Sequence, residues 1–138
     1  MMKLTPENKA TWLEALDTHS KTKCSLVATT DNCSSYCCLG VAGKVLLGLS
    51  DDDLEKESEY ITNITNVVNI EKDFNSTYTH LEDVLLQNAA VDDRMLAYIN
   101  EFCLLEDFRS ATIETFLAYL NDRTDTFKEV KDFITKYL

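Results

Sequence analysis

Proline is almost missing from this 138-residue chain and glycine is scarce: Pro6 stands alone, and Gly40, Gly43 and Gly48 fall within nine residues of one another. From Leu49 to Leu138 there is neither. That removes the usual punctuation between strands and favours helices joined by polar turns. Long apolar runs are missing too. Runs such as Val45-Leu46-Leu47-Gly48-Leu49 fall far short of the ~18 consecutive apolar residues a membrane span needs. Met1-Met2-Lys3 leads straight into Thr5-Pro6-Glu7, a helix start, so a cytoplasmic chain without a secretory leader is expected.

Basic charge is the third shortage. Lys and Arg number 13 against 24 Asp and Glu, a net charge of −11. The deficit is local: residues 1–50 hold five basic and four acidic groups, whereas residues 51–138 hold eight and 20. A nucleic-acid binder needs a cationic face to displace phosphate counterions, so direct nucleic-acid binding is not expected. An acidic surface suits solubility, a basic protein partner, or competition with nucleic acid for a basic groove. With 45% apolar and 27% charged residues the composition is globular, and without a linker or repeat residues 1–138 read as one domain.

Helical signals dominate what is present. Thr5-Pro6-Glu7 supplies an N-cap, a first-turn proline and a first-turn acid, and Ala10, Trp12, Leu13 and Leu16 follow to about Asp17. Cys24 to Thr29 is partly β-branched, Thr30-Asp31-Asn32 is turn chemistry, and Tyr36-Cys37-Cys38 can pair back, predicting a small hairpin over 24–38. Leu39 to Leu49 reads as a buried helix despite its glycines. Ser50 before Asp51-Asp52-Asp53 starts a helix carrying Leu54, Ile61, Ile64 and Val68, although its later part, Thr62 to Asn69, is poor helix former and allows a strand. Capping boxes at Thr79-Glu82 and Thr126-Glu129, with caps at Asp92 and Ser110, open four more helices. These present Leu81, Val84, Leu85 and Leu86; Met95, Ile99 and Phe102; Ile113, Phe116, Leu117 and Leu120; and Phe127, Val130, Ile134 and Tyr137. The predicted fold is mainly α: a single-domain bundle of about six helices with a small hairpin near 24–38.

Catalytic signals are weak. Four of five cysteines (Cys24, Cys33, Cys37, Cys38) lie within fifteen residues; Cys33 and Cys37 have a permissible pair spacing for zinc, and Cys24 and His19 could complete a set. There is no second tight pair, and buried free thiols are the commoner outcome. Neither His19 nor His80 sits in a motif with a cysteine, so no thiol nucleophile is indicated. Gly40-Val41-Ala42-Gly43-Lys44-Val45 is two residues short of a phosphate loop and has Val45 where a magnesium-binding hydroxyl belongs. No cofactor or metal site follows. The best surface candidate is the acidic run from Asp51 to Glu59, in which Asp51, Asp52, Asp53, Glu55, Glu57 and Glu59 face one lysine. Capping and a solvated helix face are the plainer account of the same run.

Three segments carry a resemblance: Lys9 to Leu16 with Trp12, Tyr36-Cys37-Cys38-Leu39-Gly40-Val41, and Leu117-Ala118-Tyr119-Leu120-Asn121-Asp122 ahead of Phe127 to Ile134. Together they resemble a family of small tailed-bacteriophage and prophage proteins with a Cys-Cys-Leu-Gly-Val element and a Leu-Asn-Asp turn before the last helix. About the first 45 and last 25 residues take part, and the acidic centre over 50–110 does not clearly match. Where family members often carry another cysteine this chain has Gly43. The resemblance implies no activity. It implies a folding signature that brings the two ends of the chain together, with the divergent centre adapted to a partner.

Three function classes follow. The preferred one is a non-enzymatic phage accessory protein that binds a host protein with a basic surface through acids at 51–107, in its sharpest form a DNA mimic or anti-defence protein. The second is a nucleotide-binding or sequestering protein using Lys21, Lys23 and Lys44. The third is a cysteine-rich zinc or thiol protein.

Overall fold

The Thr5 hydroxyl accepts the Asn8 N–H at 3.1 Å and Pro6 fills the first helical position, opening helix α1 (Pro6–Thr18). In the computed structural model of the protein, residues 4–23, 25–30, 33–68, 70–73, 76–78, 91–105 and 112–138 are described. Strands β1 (Val27–Thr30) and β2 (Cys33–Tyr36) form an antiparallel hairpin with Val27 opposite Tyr36 and Thr30 opposite Cys33. The returning strand therefore ends at Tyr36, one residue before the predicted Cys37-Cys38. Cys37 caps helix α2 (Cys38–Leu47) instead, its sulfur accepting the Gly40 N–H at 3.3 Å.

Helix α2 is the hub. Its first six residues, Cys38 to Gly43, are all buried, as an apolar helix enclosed by others must be. It touches α1, β2 and three helices that follow it. Gly40 is what admits the hairpin: a Cβ there would lie 2.0 Å from the Leu26 carbonyl oxygen. Gly48, in the left-handed region at φ 69°, ends α2 as a C-cap.

One predicted helix is two. Helix α3 (Asp51–Glu55) stops at Lys56, whose N–H turns back to the Asp53 carbonyl, and α4 (Glu57–Val68) begins afresh. A continuous helix would set buried Leu54 roughly 80° away from Ile64, the centre of the buried face of α4. The break brings both into the core. The ambiguous stretch 62–68 is helical because Ile64, Val67 and Val68 are fully buried, so packing overrides poor propensity.

A second hairpin follows that the sequence reading lacked: β3 (Ile70–Asp73) against β4 (Ser76–Tyr78), its register shifting between Glu71 and Asp73. The helix predicted from the Thr79-Glu82 box, with His80, Leu81, Val84, Leu85 and Leu86, lies outside the described residues.

Helix α5 (Asp93–Cys103) is capped by Asp92, whose Oδ1 accepts the Met95 N–H at 2.8 Å, and it buries Met95, Ile99 and Phe102 as its spacing requires. Helix α6 (Ile113–Arg123) has Thr112 in the cap position, two residues after the predicted Ser110, which is not among the described residues. The N–H of Thr112 donates to the Thr115 hydroxyl at 3.1 Å. Helix α7 (Lys128–Tyr137) starts without the predicted Thr126-Glu129 box: buried Phe127 takes the cap position, and Glu129 pairs with Arg94 instead. Phe102, Phe116, Phe133 and Tyr137 link α5, α6 and α7 through rings 5.0–5.3 Å apart. The protein is thus a mainly helical single domain, with seven helices and two antiparallel hairpins among the described residues.

Candidate functional site

The three familiar segments meet at one residue. Trp12, fully buried, donates its indole N–H to the Cys38 carbonyl at 3.0 Å. Asn121, also fully buried, accepts the Cys38 N–H at 3.0 Å and donates to the Thr22 carbonyl at 2.9 Å. The Cys38 thiol points at the Leu117 carbonyl, 3.6 Å away. Every polar group here is satisfied internally, as buried polar groups must be. Burial pushes the Cys38 thiol well above its usual range and the Cys37 thiol to about 11, with the Asp122 and Glu57 carboxylates adding to the second. Neither is a nucleophile at neutral pH. The constellation holds the fold.

The six acids of the run 51–59 divide. Asp51 is half-buried and engaged, its Oδ1 accepting from Tyr36 OH and Lys44 Nζ, both at 2.8 Å, and its Oδ2 from Ser34 at 3.0 Å. The Lys44 ammonium, with the Tyr36 and Ser34 hydroxyls, holds its carboxyl below the usual carboxylate range, and Asp51 raises Lys44 in return. Asp53 completes the Ser50 capping box, accepting the Ser50 N–H at 3.0 Å. Asp52, Glu55, Glu57 and Glu59 are exposed. Sequence reasoning grouped six acids; four face solvent, and two tie α3 to the hairpin and to its own cap.

One of the four borders a cleft of about 490 Å³ where the start of α2 faces α4 and α6. Two helical stripes wall it, Glu57-Ile61-Thr65 and Glu114-Ala118-Asp122, each spaced by four residues so that its members share one helix face. Buried Leu26 and Leu39 form the floor. The Glu114 Oε2 atom has almost no accessible surface and no hydrogen-bond partner among the described residues. Asp122 Oδ1 takes an N–H from Asn121 at 3.3 Å, joining the cleft to the Cys38 constellation. An apolar floor beneath carboxylates suits a group that is both hydrocarbon and cationic.

A second cleft, about 640 Å³, lies between the end of α1 and the start of α7. Lys21, Lys128 and Lys131 line it against Asp17, Asp125 and Asp132, so neither sign prevails. Of the three lysines of the nucleotide reading, Lys21 and Lys23 lie together near Thr124 and Asp125, and Lys44 is engaged elsewhere. Lys21 donates to the Thr124 carbonyl at 2.5 Å, Lys23 pairs with Asp125 at 3.6 Å, and Lys44 pairs with Asp51 at 2.8 Å. Burial, then neighbouring Lys23, lowers the affinity of Lys21 for its proton. The glycine segment once compared with a phosphate loop is helical, so its amides are committed to α2.

Among the described residues no group of three or more His, Cys, Asp or Glu is placed to hold a metal ion, and Cys33, Cys37, Cys38 and Cys103 are free thiols. His19 Nδ1 lies 2.7 Å from the Ala15 carbonyl, with its ring edge-on to Tyr36. Cys24 and His80 are outside the described residues. No described helix is long and apolar enough to cross a membrane. Comparison with protein-family models, with curated proteins and with solved structures finds no match to this chain.

Proposed function

We propose that this protein is a non-enzymatic phage accessory protein that binds a basic surface of a host protein in the host cytoplasm. Its acidic face is built on α3 and α4. The observation that carries the reading is the division of the acidic run: Asp52, Glu55, Glu57 and Glu59 stay exposed although neighbouring carboxylates show that α3 can use them internally. Exposed like charges repel one another, and a partner of opposite sign relieves that cost while accelerating encounter. The charge asymmetry of the chain supports the same reading, since all of the net negative charge belongs to residues 51–138. A DNA-mimic or anti-defence role is the sharper form, in which these carboxylates occupy a phosphate-binding groove.

The test keeps Asp51 and Asp53, which hold α3 in place, and replaces the four exposed acids (D52N, E55Q, E57Q, E59Q). The intact protein should capture a partner from bacterial lysate that is released by raised salt, and the quadruple variant should capture far less. Equal capture by the folded variant, or a partner indifferent to salt, overturns the reading.

A further inference from the structure

We draw no further inference here: the strongest candidate, the cleft of about 490 Å³ between α4 and α6, sets carboxylates over an apolar floor, and nothing among the described residues shows what would cover it.

Discussion

Around Cys38 the protein turns its polar atoms inward; along α3 and α4 it turns most of them outward. In the first region an indole meets the Cys38 carbonyl, a side-chain amide oxygen meets the Cys38 N–H, and the Cys38 thiol points at the Leu117 carbonyl, so each donor and acceptor finds a partner inside the core. In the second, Leu54, Ile64, Val67 and Val68 anchor the helices while four carboxylates face water. The contrast teaches that polar residues identify a functional surface only when they are left unspent by the fold. Asn121 and Cys38 look chemical in the sequence and are structural; Glu57 looks like ordinary solvation and borders the cleft.

The strongest way to break the contrast is to strike the inward region at its tightest point. Gly40→Ala sets a methyl 2.0 Å from the Leu26 carbonyl oxygen, a backbone atom that cannot rotate away. The variant should fail to fold or lose more than about 3 kcal/mol in a urea titration. Asn121→Ala follows, leaving the Cys38 N–H and the Thr22 carbonyl without partners and costing about 2–4 kcal/mol by the same measurement. Replacing the four exposed acids should move stability by no more than about 0.5 kcal/mol while cutting partner capture, which separates the two regions by readout. A quadruple variant that melts early would erase the distinction.

The gentlest test is acid titration of Asp51. Its folded carboxyl is held below the ordinary value by Lys44 first, then by the Tyr36 and Ser34 hydroxyls, so the folded state binds fewer protons than the unfolded one. That contribution is complete above the unfolded value near 3.8 and is lost as pH falls through the lower folded value. Urea midpoints of the protein and of D51N, measured from pH 6 downward, should keep a constant gap to about pH 4 and draw together only as the pH falls further. A gap that stays constant through that further fall would mean that the ion pair adds nothing titratable.

Much of the scaffold was legible because local and global preferences agreed. Thr5-Pro6-Glu7 and Asp92 opened helices whose apolar spacing matched their buried faces. The sequence misled where a tertiary contact decided the outcome. Nothing local stops the helix at Lys56; the need to bury both Leu54 and Ile64 does. A cysteine is a weak advertisement for a helix cap, so the end of the first hairpin was read two residues late. The hairpin of β3 and β4 follows directly on a helix, and Asn and Thr near Ile70 gave signals for both. Of the candidate site, the acid run was visible, but its division was not, because the donors to Asp51 come from Ser34, Tyr36 and Lys44, seven to seventeen residues away. Glu114 and Asp122 were missed altogether, although the four-residue spacing Glu114-Ala118-Asp122 places two acids about one small residue on a single face.

The backbone of Cys38 is gripped at its carbonyl and at its N–H by side chains from elsewhere, Trp12 at 26 residues' separation and Asn121 at 83. Its N–H is thus a reporter for the closure of the whole chain: fraying of α2 alone cannot release the proton to deuterium while the Asn121 carbonyl still covers it. Native-state exchange at this one amide should therefore track global opening, speeding with every perturbation that loosens either end of the polypeptide.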